Sequence, residues 1–247
     1  MKGRRLALAL LGLLALRPSP AGAQVVVADL SSHLIAITTG FTGASVVLFG
    51  ATDGAADVVA IVRGPERDTT VWRKGKVAGI WANTDSVTFA NIPSFYAVAA
   101  SRPLNDILSP AAAALYKIGT NNLKFETRSY EDPERTRLYA DALIEVRKRA
   151  GVFSPSHEKI SFLGDRLFRT TFFFPANVPT GTYLVEVFLV RDKDVVGGQT
   201  TPLVVSKVGV DAAVFDFARR DAVAYGAIAV MMAVMAGWLA SLPFRNT

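Results

Sequence analysis

The chain has no cysteine and only two histidines, His33 and His157, among its 247 residues. Without thiols there is no disulfide framework, no cysteine nucleophile, no thiolate metal site and no lipidated cysteine. His157-Glu158-Lys159-Ile160-Ser161 begins like the zinc-protease motif but lacks its second histidine. Neither a glycine-rich phosphate loop nor a G-x-S-x-G elbow is present, so neither metal nor cofactor is expected. The positive balance is thin as well. The 27 Lys+Arg exceed the 21 Asp+Glu by six, yet Lys2, Arg4, Arg5 and Arg17 lie in an N-terminal segment expected to be removed. That leaves 23 bases against 21 acids, and no nucleic-acid partner is expected.

Two apolar runs stand at the ends. Lys2, Arg4 and Arg5 precede an eleven-residue run, 6–16, followed by Pro18 and Pro20 and then Ala21-Gly22-Ala23. This is the layout of a secretory signal peptide over 1–23, too short to span a bilayer. Residues 222–242 carry no charge, and as a helix would extend about 30 Å, enough for a transmembrane span. Tyr225 and Trp238 stand near its two ends. The expected topology is a single-pass inner-membrane protein. Its domain over 24–210 lies in the periplasm, a juxtamembrane segment covers 211–221, and a cytoplasmic tail covers 243–247. Ala229, Ala233, Gly237 and Ser241 recur on one helix face, where small side chains allow close helix approach. They are the candidate face for a membrane-protein partner or for homo-oligomerisation.

Between the two runs, Val, Ile, Thr and aromatic residues gather in short stretches parted by Gly, Pro, Asn and Asp, the pattern of successive strands. Strands are expected at 34–38, 45–49, 57–62, 69–74, 77–81, 86–89, 95–99, 167–174, 182–190 and 202–208. Asn91-Ile92-Pro93-Ser94 is expected to interrupt the pairing. A helical insertion is expected at about 107–151, with a short helix at 110–116. A longer helix is started by Asp132-Pro133 and ended by Gly151. Its apolar stripe is Leu138, Tyr139, Ala142, Leu143, Val146 and Ala150, while Arg137, Asp141, Arg147 and Lys148 should face water. The expected fold class is mainly β, an immunoglobulin-like β-sandwich with a helical insertion, either one elaborated sandwich or two small β units in tandem.

Chemistry-bearing residues are sparse. Ser156 and Lys159 satisfy S-x-x-K, the spacing at which a lysine could deprotonate a serine, but the companion S-D-N and K-T-G elements are missing. Denser is a set of cations and aromatics in the first half: Arg63, Arg73, Lys74, Lys76, Trp81, Tyr96 and Arg102. If strand ends bring these together, they form a cationic rim for an anionic small molecule, a glycan, a lipid headgroup or an acidic loop. The same letters also fit solvated charges beside core aromatics.

Several stretches carry a family resemblance. They are Phe41-Thr42-Gly43-Ala44 with Leu48-Phe49-Gly50, Val62-Arg63-Gly64-Pro65, Arg73-Lys74, Val77-Ala78-Gly79-Ile80-Trp81 with Asn83, Pro93-Ser94-Phe95-Tyr96 with Ser101-Arg102-Pro103-Leu104, and Pro179-Thr180-Gly181-Thr182-Tyr183. With Tyr225-Gly226 and Gly237-Trp238, the chain resembles an alphaproteobacterial family of single-pass transmembrane proteins of unknown function. The resemblance implies an inner-membrane protein with a periplasmic domain, and no activity or catalytic residue. Members encoded beside a sulfite-exporter-like permease imply a transporter-associated role. Three functions follow as expectations. The first is a membrane-anchored interaction or accessory module that is not an enzyme. The second is a binder of an anionic small molecule, glycan or lipid headgroup. The third is a Ser/Lys hydrolase.

Overall fold

The computed structural model describes residues 26–128 and 132–241; the expected signal peptide and cytoplasmic tail lie outside them. Thirteen strands are described: β1 (Val26–Leu30), β2 (Leu34–Ile37), β3 (Gly43–Thr52), β4 (Asp57–Arg63), β5 (Glu66–Val77), β6 (Ile80–Pro93), β7 (Tyr96–Ala100), β8 (Glu126–Thr127), β9 (Glu158–Lys159), β10 (Ser161–Leu163), β11 (Leu167–Pro175), β12 (Gly181–Arg191) and β13 (Asp194–Lys207). The helices are α1 (Leu104–Ile107), α2 (Pro110–Leu115), α3 (Pro133–Arg149), α4 (Val210–Arg220) and α5 (Ala222–Ser241).

The strands form three sheets, ordered β1-β3-β11-β10, β2-β13-β12-β4-β7-β9 and β5-β6-β8. Alternation decides which faces close on each other. In β11, Phe168, Thr170, Phe172 and Phe174 are buried and the residues between them exposed, the two-residue repeat of a half-covered strand. By contrast β4 buries an unbroken run from Val58 to Val62, because it is central and the helical insertion covers its second face. Phe174 stacks on Phe95 at 4.9 Å between centroids and meets Tyr183 edge-on at 5.8 Å, pinning the four-stranded sheet to the six-stranded one.

This is not the expected immunoglobulin-like sandwich. β2 pairs with β13, and β9 with β7, in parallel, whereas that fold joins two antiparallel sheets. The sheets curl into a half-barrel with a small helical insertion. Other corrections are local. The expected strand at 77–81 is a two-residue turn, with Ala78 at φ 49° and Gly79 at φ 83°, joining β5 and β6 into one long hairpin. Asn91-Ile92-Pro93 does not end β6; a register shift near Asp68 absorbs it. In α3 the buried residues are Tyr139, Ala140, Leu143 and Ile144, while Leu138 and Val146 face solvent. Polar anchors set this rotation. Arg135 and the Tyr139 hydroxyl both donate to Asp85 of β6, and half-buried Arg147 reaches Thr69 at 3.3 Å.

The expected transmembrane helix is also corrected. Among the described residues, no helix is long and apolar enough to cross a membrane. The side chains of α5 are described from Ala222 to Trp238, a rise of about 25 Å against a hydrocarbon layer of about 30 Å. The single-pass inner-membrane topology rested on that span and is withdrawn. So are the membrane-anchored accessory role, the sulfite-exporter-like partner and oligomerisation through Ala229, Ala233, Gly237 and Ser241. The first three of those residues are exposed; the side chain of Ser241 lies outside the described residues.

Asp57 and Asp85 give the fold an acid limb. Hydrogen bonding from Arg102 holds the Asp57 carboxyl below 3.8, and hydrogen bonding from Tyr139, with Arg135 nearby, does the same for Asp85. The unfolded chain therefore binds more protons. Stability from these groups is complete above about pH 4 and is lost as pH falls through the lower folded values. Melting temperature measured from about pH 5 to about pH 2.5 should fall, and less steeply in Asp57→Asn/Asp85→Asn. Equal slopes would remove both carboxylates from the account.

Candidate functional site

A cleft of about 540 Å³ opens between β7 and the helical insertion, within the roughly 300–1,000 Å³ of small-molecule sites. The sequence builds it piecewise. β7 supplies Tyr96 and Val98, α1 with its following turn supplies Leu104, Asn105 and Leu108, and α2 supplies Ala113. Ser109 caps α2 by accepting the Ala112 N–H at 3.1 Å, with Pro110 at the first helical position, an arrangement that fixes the short helix. The 3-10 turn Thr120–Asn122 and the approach to β9, Ser154 to His157, complete the walls.

Tyr96 and Arg63 hold this geometry. The buried Tyr96 hydroxyl donates to the Lys117 carbonyl at 2.9 Å and accepts the Gly119 N–H at 2.8 Å, and burial pushes its pKa up to about 12. It is therefore a neutral clamp at any physiological pH. Arg63 pairs with Glu186 and donates to the Tyr116 carbonyl at 2.6 Å. Together they fix the segment that becomes the cleft's wall. The lining contains no Lys, Arg, Asp or Glu. Asn105, Asn121, Ser154, Ser156 and His157 make no side-chain hydrogen bond within the chain and leave their donors and acceptors to whatever enters. Leu104, Leu108 and Ile118 give it an apolar floor.

The seven residues expected to form one rim fall into three places. Arg63 and Tyr96 are the clamps just described. Arg102 is bound to Asp57 at the opposite end of β4 and β7. Arg73, Lys74, Lys76 and Trp81 lie together on the β5–β6 hairpin, joined by exposed Trp72, which the sequence reading passed over although it stands two residues before Lys74. Ser156 lines the cleft and Lys159, in β9, does not. His33 contacts Asp29 at 2.8 Å, and the described residues hold no group of three or more His, Asp or Glu able to take a metal. A second concavity of about 390 Å³, on the outer face of β1, β3 and β11, is lined by Val27, Phe49 and Leu167.

A family model described as "Putative transmembrane protein (Alph_Pro_TM)" matches residues 25–246. The chain belongs to this family. The match covers every element from β1 to α5, and the family description assigns no reaction. No curated protein and no solved structure matches the chain.

Proposed function

We propose that the chain is a binding domain, without catalytic chemistry, whose cleft holds a small, uncharged, polar molecule of the saccharide class. One observation carries this: an apolar floor walled by side-chain amides and hydroxyls that have no partner of their own. An ionic ligand would meet no countercharge there, and a purely apolar one would strand the Asn105 and Asn121 amides. Sugars match both features, with apolar ring faces and hydroxyls that donate and accept. Separation of Ser156 from Lys159 supports binding over acyl transfer.

The test is a thermal-shift screen with neutral mono- and disaccharides on the wild type and on Ala113→Trp, whose indole fills the cleft from α2. At least one sugar is expected to raise the melting temperature of the wild type by 2–3 °C, about 1 kcal/mol of linkage, and to leave Ala113→Trp unmoved. Equal shifts in both proteins, or none in the wild type, would refute the assignment.

A further inference from the structure

The β5–β6 hairpin stands apart from the cleft and carries a different kind of surface. Its last buried side chain toward the tip is Val87, opposite Val71; the strands then run on to Val77 and Ile80, about 20 Å further at 3.3 Å per residue. The two-residue repeat of β5 puts Trp72, Lys74 and Lys76 on one face. Trp81 is the cross-strand partner of Lys76, whose ammonium lies 5.5 Å from its ring centroid. No acid occurs from 71 to 84. The nearest one, Asp85, is engaged by Arg135 and Tyr139. Arg73 adds a third cation on the other face.

The tip itself is apolar. Ile80 is 73% exposed, Trp81 65% and Val77 55%. The turn between them has φ above zero at both central residues, a geometry for which Asn-Gly is the low-energy choice in water. This chain has Ala78-Gly79 instead, leaving a left-handed alanine that costs about 1 kcal/mol and no polar side chain anywhere on the turn. A dissolved polyanion would use the cations and gain nothing from Val77, Ala78 and Ile80. A lipid surface would use both, with indoles at the headgroup level and cations at the phosphates.

We propose that the hairpin tip docks on an anionic phospholipid bilayer surface, with turn 77–80 among the upper acyl chains, Lys74 and Lys76 at the phosphates, and no part of the hairpin crossing. This stands independently of the cleft's ligand.

The experiment uses the full chain carrying Trp238→Phe, so that only Trp72 and Trp81 fluoresce. It is titrated with vesicles of mixed phosphatidylglycerol and phosphatidylcholine, or phosphatidylcholine alone, with bromine on the upper acyl carbons. The indoles should shift to the blue and be quenched on the anionic vesicles, far less on the neutral ones. Lys74→Gln/Lys76→Gln should weaken that binding about 25-fold, roughly fivefold per cation. Ile80→Asp should abolish quenching, with Ile80→Ser as the milder second variant and circular dichroism confirming that each is folded. Absence of quenching in the parent, or quenching unchanged by Ile80→Asp, overturns the proposal. So does heparin binding as tight as vesicle binding and insensitive to Ile80, which would mark a soluble polyanion as the ligand.

Discussion

Phe174→Ala should cost about 3–5 kcal/mol, the range for truncating a fully buried phenylalanine, and lower the melting temperature by roughly 10 °C. Phe174 is 0% exposed on β11. Its ring stacks on Phe95, which precedes β7, and meets Tyr183 of β12 edge-on, so one side chain bridges the two larger sheets. Tyr183 is itself fixed, its hydroxyl donating to the Pro179 carbonyl at 2.6 Å while burial pushes its pKa up to about 12. Truncation would open a cavity between three locked neighbours that cannot collapse into it. Phe174→Leu, which keeps most of the volume, should lose less than half as much. Denaturant titration checks both; a loss under 1 kcal/mol for the alanine variant would mean that the sheets are not held together at this point.

Glu186→Ala should be nearly as damaging, about 2–4 kcal/mol, for a different reason. Glu186 and Arg63 are each 19% exposed at the side chain, and Arg63 Nε is already buried without a partner. Removing the carboxylate leaves a largely desolvated guanidinium supported by the Tyr116 and Lys117 carbonyls alone. Because the same guanidinium fixes the wall of the cleft, amide exchange across 116–122 should accelerate beyond the global change. Uniform acceleration along the chain would show that Arg63 stabilises the sheet without positioning that wall. Glu186→Gln, which can still accept a hydrogen bond, should fall between the two.

How far the residues themselves foretold this depends on the range over which each signal acts. Continuous apolar runs gave β4 and β12 nearly to the residue, and Asp132-Pro133 marked the start of α3, because burial and capping act within one element. Hydrophobic spacing misjudged which side of α3 is buried, since a carboxylate 50 residues away, Asp85, turns that face inward through Arg135 and Tyr139. Parallel pairing of β2 with β13 joins segments about 170 residues apart, and no local pattern announces it. The site shows the same division. Arg73, Lys74, Lys76 and Trp81 are local to one hairpin and were found together. Arg63 and Tyr96 were singled out for chemistry that their burial turns into support. The cleft's own Asn105, Asn121 and Ser154 carry no sequence signature, being turn and cap residues like many others.

The most direct test of the binding assignment is nuclear magnetic resonance mapping with the saccharide that gives the largest thermal shift. The side-chain amide signals of Asn105 and Asn121 and the ring signals of His157 should move on titration, with those of Trp72 and Trp81 unmoved. Shifts confined to the hairpin, or scattered with no focus on those three side chains, would contradict the claim that this cleft is the binding site.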